Sequence, residues 1–160
     1  MGARSVLLIA LAAASAGLPT TSTAQPEGRA IWQFFRMDTG EMHLAYGVPE
    51  TDDGAIGIDC RPHARSYRVG VTQDQVGSHH EGTSWRTTIG LHSGATRGRY
   101  AARVTYSGEF GAEAQVDVPV TDPVMRAFAV NHRLGSDQEQ WPARSRAETA
   151  AIDRFFAACR

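Results

Sequence analysis

The residues best able to do chemistry stand together in one polar stretch, Ser78-His79-His80-Glu81. Imidazole nitrogen and carboxylate oxygen are donors that zinc or copper takes, so His79, His80 and Glu81 form a candidate metal set. Adjacent histidines on an extended loop point in different directions, so a single ion would need His63, Asp59 or His92 to complete its shell. Metal sites carried by one element usually show regular spacing such as His-x-x-x-His, which this stretch lacks, and a solvated loop is the expectation. A serine hydrolase could be assembled from Ser78 or Ser93, His92 and an aspartate, because a triad is defined by geometry and not by sequence order. No Gly-x-Ser-x-Gly elbow fixes a nucleophile on a strained turn. The chain contains no lysine, which excludes a Schiff base, a phosphate-loop lysine and a lysine general base.

The binding candidates are weaker in chemistry but more numerous. Arg61, Arg65 and Arg68, with Arg97, Arg99 and Arg103, would make an anion-binding patch if the third, fourth and sixth strands lay together. Asp59, Asp74 and Glu109 nearby favour a mixed-sign face instead. Trp32, Phe34, Phe35, Trp85, Tyr100 and Tyr106 could stack on sugars, although such residues more often build a core. Trp141, ahead of Pro142 and outside any strong period, is the aromatic expected to be exposed and available for binding. Asp52-Asp53 beside Gly54 are not followed by a spaced calcium loop. These signals favour a non-enzymatic binding or interaction module without a cofactor, whose partner is an envelope protein or cell-wall component. The alternative is a metal-dependent or hydrolytic enzyme centred on His79, His80 and Glu81.

The start of the chain sets the compartment. Arg4, an apolar run from Val6 to Ala16 and small residues at Ser22-Thr23-Ala24 read as a secretory signal peptide over 1–24, leaving one domain over 25–160. The apolar run is too short for the roughly 20 residues of a spanning helix, and no later segment is apolar enough, so no integral membrane segment is expected in the mature chain. Loss of Arg4 takes the formal net charge from −1 to −2, which argues against a nucleic-acid partner. A periplasmic or secreted location is oxidising, and the two cysteines, Cys60 and Cys159, are then expected to form one disulfide. Their separation is unlike the Cys-x-x-Cys of redox enzymes.

Seven segments read as strands, Ile31-Trp32-Gln33-Phe34-Phe35 from its aromatic residues and six from their period of two, including Met42-Leu44-Tyr46-Val48, Ile56-Ile58-Cys60 and Ala112-Ala114-Val116-Val118. Asp122-Pro123 starts a short helix near 123–130, and Ser145 with Glu148 makes a capping box for a C-terminal helix near 146–159. Residues 131–143 read as irregular or as a short edge strand. The fold expected is mainly β, a six- or seven-stranded antiparallel sandwich or open barrel with two appended helices.

Trp32, the run Leu44-Ala45-Tyr46-Gly47-Val48-Pro49, a strand ending at Cys60, Pro119-Val120 and Pro123-Val124 before a helix, and Phe155-Phe156-Ala157-Ala158-Cys159 follow one another in a fixed order. This order resembles small exported bacterial proteins, a group marked by its structural landmarks and not by an activity. The resemblance implies an envelope location and a paired cysteine, and it transfers no catalytic residue. Periplasmic lysozyme inhibitors are similar in size and strand content, but no inhibitory loop motif is present.

Overall fold

A computed structural model describes residues 28–73, 79–108 and 111–160. The expected signal peptide lies outside the described residues, as do Asp74, Ser78 and Glu109. The strands are β1 (Ile31–Arg36), β2 (Met42–Gly47), β3 (Gly54–Cys60), β4 (Ser66–Gln73), β5 (Ser84–Ser93), β6 (Thr96–Tyr106), β7 (Ala112–Pro119), β8 (Arg133–Ser136) and β9 (Gln140–Pro142). Two helices, α1 (Pro123–Asn131) and α2 (Arg146–Ala158), complete the chain.

All nine strands form one antiparallel sheet in the order β1-β2-β3-β4-β7-β6-β5-β8-β9, curled into a half-barrel. The mainly β class, the two helices and the open-barrel form of the expectation hold at this level, and the strand count is corrected from six or seven to nine. Alternation shows that one face of each strand is buried, but it does not say what covers that face. In β7 the two faces separate cleanly: Ala112, Ala114, Val116 and Val118 are buried, while Glu113, Gln115 and Asp117 are exposed. The buried face is covered by the curl of the sheet itself and by the two helices, and the described residues form no second sheet. The segment 131–143 supplies the two additional strands. β8 extends β5 through Leu91↔Ser136 and His92↔Gly135, and β9 pairs with β8.

Curling brings the two outermost strands together. Trp32 of β1 donates its indole N–H to the carbonyl oxygen of Trp141 on β9 at 3.0 Å, a clasp between opposite ends of the sheet. The same indole packs on Tyr46 and Phe128, so an aromatic wedge from β2 and α1 holds the clasp dry.

The helices plug one end of the half-barrel. Asp122 starts α1: its Oδ1 accepts from the N–H groups of Val124 at 2.8 Å and Met125 at 3.2 Å, and from the Tyr100 hydroxyl at 2.9 Å. Proline at the first helical position costs nothing, because its missing N–H would be unpaired there. At α2 the Ser145 hydroxyl accepts from the Glu148 N–H at 3.2 Å, as the capping box requires. The buried Glu148 carboxylate reaches back to the N–H of Arg144, one residue before the cap, in place of the cap residue itself. Phe155 then meets Phe34 and Tyr67, and Phe156 meets Tyr67 and Phe128. Burying each ring stabilises by roughly 1.5–3 kcal/mol. The last turn of α2 delivers Cys159 to Cys60 at bonding distance, with Cα atoms 5.9 Å apart. Among the described residues, no helix is long and apolar enough to cross a membrane.

Candidate binding groove

Antiparallel strands put opposite termini at each end of the half-barrel. Cys60, Tyr67, Leu91, Tyr100 and Val118 lie toward the plugged end, beside the helices. The start of β3, the end of β4 and the start of β5 lie toward the other end, which opens into a groove of about 540 Å³. One wall comes from the β2–β3 turn with the adjoining ends of β3 and β4, and the other from β5 and the β8–β9 turn. Val71, Ile89 and Trp141 give it an apolar floor, whereas Thr72, Thr87 and Gln138 supply polar groups higher up.

Its rim is acidic. Asp52 and Asp53 stand on the first wall, and Asp137 and Glu139 on the second. Each of the latter two is positioned by a donor. The Asp137 carboxylate accepts the N–H of Gly90 at 3.1 Å, and Glu139 Oε2 accepts the Trp141 indole N–H at 2.9 Å. Gly90 is needed for the first of these, since a Cβ at that position would collide with the Asp137 carboxylate.

Trp141 corrects an expectation. It was expected to be exposed, yet only 2% of its surface is accessible. A three-residue strand has no readable period, and the partner that buries this one is Trp32, more than a hundred positions earlier. Trp141 therefore belongs to the groove as floor and anchor.

The other sequence candidates fall elsewhere. His79 stacks on the Trp85 ring at 3.8 Å, with the planes 12° apart. The carbonyl of His80 accepts the N–H and the hydroxyl of Thr83, closing a tight turn. Glu81 lies over Gly108, which leaves space for its carboxylate. His63 sits in the left-handed region near the Cys159 end, and His92 packs against Gly135 on β8. Among the described residues, no three His, Cys, Asp or Glu side chains are grouped so as to hold a metal ion.

The arginines divide into two sets. β7 lies between β4 and β6, so Arg68 is separated from Arg103 by the carboxylates of the exposed β7 face. Arg68 approaches Asp117 at 4.0 Å and Arg61 approaches Glu41 at 3.9 Å, both exposed pairs on a mixed-sign surface, and Arg65 is exposed beside them. On the outer face of β5 and β6, Arg86 stands directly opposite Arg103.

Sequence reasoning passed over Asp137 and Glu139, the carboxylates that oppose Asp52 and Asp53 across the groove. Their signal was the polar run Ser136-Asp137-Gln138-Glu139-Gln140 flanked by short apolar stretches, the pattern of a hairpin turn. Two tyrosines at the plugged end are perturbed. Burial pushes the Tyr67 phenol up, and burial together with the Asp122 hydrogen bond and charge pushes Tyr100 well above the usual phenol range. Both are structural, since Tyr100 ties β6 to the start of α1 and Tyr67 packs on α2. No protein-family model matches this chain, and neither a characterised protein nor a solved structure does.

Proposed function

We propose that this chain is an exported binding module of the cell envelope that captures its ligand in the groove at the open end of the half-barrel and performs no chemistry of its own. The observation that carries the reading is how the groove is built: two walls remote in sequence are held in fixed relation by the Trp32–Trp141 clasp, with an apolar floor and carboxylates on both rims. Concave, largely preformed sites with a few placed polar groups are the usual form of a binding pocket. The cysteine pair at bonding distance is compatible with an oxidising compartment, and the resemblance to small exported bacterial proteins points the same way. The ligand classes that follow are an envelope protein or a cell-wall component.

The test is chemical-shift mapping on ¹⁵N-labelled full-length protein titrated with soluble muropeptides, a cationic peptide and an anionic peptide. Shifts at Thr87, Gly90, Asp137 and the Trp141 indole support the groove. Shifts confined to His79–Glu81, or zinc taken up there in stoichiometric amount, would overturn the reading and favour the metal enzyme.

A further inference from the structure

β5 is paired with β6 along its whole length, from Ser84↔Thr105 to Ser93↔Thr96, with no break in register. On its other side β8 meets it at Leu91 and His92 alone. Within a strand, alternate residues direct both their N–H and C=O to the same neighbour. The N–H of Gly90 turns away from β6, because it bonds the Asp137 carboxylate. Thr88 and Arg86, two and four residues back, therefore turn the same way, and among the described residues no strand pairs with them there. β8 stops at Ser136 and leaves for the turn to β9, and the Asp137 carboxylate takes the place of a strand at Gly90, so among the described residues the lane beside Ser84–Ile89 has no strand in it. At about 3.3 Å per residue that lane is roughly 20 Å long, enough for six residues of extended chain. Proteins normally blunt such an edge with a proline, a bulge, a covering segment or charge, and among the described residues this stretch carries only the Arg86 charge and the Asp137 carboxylate at its end.

The vacant lane and the groove adjoin. Thr87, Thr88 and Ile89 line both. On the inner side the lane faces Asp52, Asp53 and Glu139, on the outer side Arg86 and Arg103, and the Asp137 carboxylate closes its end at Gly90. A strand seated there would therefore meet negative charge with its inward side chains and positive charge with its outward ones.

We infer that the open edge of β5 receives an extended peptide segment of a partner protein as an added antiparallel strand, continuing the line of β8, with basic side chains turned into the groove. This rests on the groove being the binding site and names what occupies it. Main-chain hydrogen bonds to Thr88 and Arg86 supply affinity, and alternate side chains supply selection. Residues opposite each other across a ladder project to the same face. Peptide residues opposite Thr88 and Arg86 thus point outward and give their own N–H groups to β5, whereas the basic, inward ones direct their N–H groups away from it.

The experiment uses the full chain and a capped hexapeptide alternating arginine with threonine, titrated at low salt and followed by amide shifts. Binding with shifts at Arg86, Thr88 and Gly90 is expected. N-methylation of the threonine nitrogens should weaken it about tenfold or more, N-methylation of the arginine nitrogens should weaken it far less, and glutamate in place of arginine should abolish it. Thr88→Pro removes an N–H that faces the lane and leaves the β6 ladder intact, so it should produce the same tenfold loss. If that variant fails to fold, the N-methyl pair decides alone. Equal binding by both N-methylated peptides would overturn strand addition and leave the groove as a cation site. Groove shifts from muropeptides with none from any peptide would overturn the inference but keep the groove. Silence of groove resonances to every probe would overturn both. Concentration-dependent dimerisation that protects the Thr88 amide would assign the lane to a second copy of this chain and overturn the inference.

Discussion

Replacing both cysteines by alanine, C60A/C159A, tests how the plugged end is held. The bridge would close a loop with a sequence separation of 99 residues. In the chain-entropy treatment a loop of this length removes enough freedom from the denatured chain to stabilise the fold by about 4.7 kcal/mol. Both sulfurs are buried, each residue being 3% exposed, so truncation also leaves a small void at a cost of about 1 kcal/mol. Native-state terms pull the other way: α2 is anchored by Phe155 and Phe156 against Tyr67 and Phe34, so it stays docked without the bridge. We expect a folded variant that is about 4–5 kcal/mol less stable. With a urea m-value near 2 kcal/mol/M the midpoint falls by about 2 M. The m-value should rise as well, because the unbridged denatured chain exposes more surface. The assay is urea unfolding followed by tryptophan fluorescence, on protein expressed from the full-length sequence under oxidising conditions and on C60A/C159A. Intact mass before and after reduction reports the bridge itself. A loss under about 1 kcal/mol with an unchanged m-value would show that the protein does not carry the bridge, and the argument for an oxidising compartment would fail with it.

Trp32→Phe removes the indole donor of the clasp together with part of a ring that is 2% exposed, and should cost about 2–4 kcal/mol in the same urea assay. Hydrogen exchange should quicken in β9 more than in β4; equal acceleration would mean the clasp is ordinary core packing. Gly90→Ala drives a methyl into the Asp137 carboxylate and frees a strand N–H, for a loss of about 1–3 kcal/mol, and Asp137→Ala relieves the clash, so the double variant should be more stable than G90A alone. The tyrosines set an alkaline limit. Their folded-state pKa values lie above the ordinary 10.0, so the folded chain holds these protons more tightly than the unfolded one. Stability should be independent of them below pH 10 and fall as pH rises beyond it. Tyr100→Phe should cost about 1 kcal/mol at pH 7 and flatten that alkaline decline; an unaltered decline would refute the assignment.

The strands β1 to β7 and both helices were legible because their signals are local. Apolar residues alternate over six to eleven positions, and the caps Asp122 and Ser145 announce each helix within its first turn. β8 and β9 were legible only as irregular chain or one short edge strand, because four and three residues that include Gly135 and Pro142 carry no period. Their strand character comes from Leu91 and His92 on one side and from the Trp32 clasp on the other. The same reasoning separates sandwich from half-barrel, since the alternation of Val69 and Val71 is identical whether a second sheet or the curl of the same sheet covers them. The cysteine pairing was legible by elimination, two cysteines allowing one bridge. The groove was hidden for the opposite reason: Asp52-Asp53 and Asp137-Gln138-Glu139 are two ordinary turns in sequence, and their chemistry arises where the fold sets them face to face.

The distribution of constraint along the half-barrel bears on where function resides. At the plugged end one carboxylate, Asp122, holds three donors from β6 and α1, the cysteine pair joins β3 to the last turn of α2, and the aromatic rings of Phe128, Phe155 and Phe156 interlock. Buried side chains packed this closely, with a cross-link beside them, are of the kind that open last. At the other end β5 runs past its neighbour, Asp137 substitutes a side chain for a missing strand, and the walls finish in turns. Leaving the edge of β5 without a strand partner among the described residues is a cost that packing alone does not require, and selection for stability would favour a longer β8 that covers it. A vacant lane beside an acidic groove is better accounted for by a partner that fills it, and the rigid opposite end is what keeps the lane straight enough to be filled.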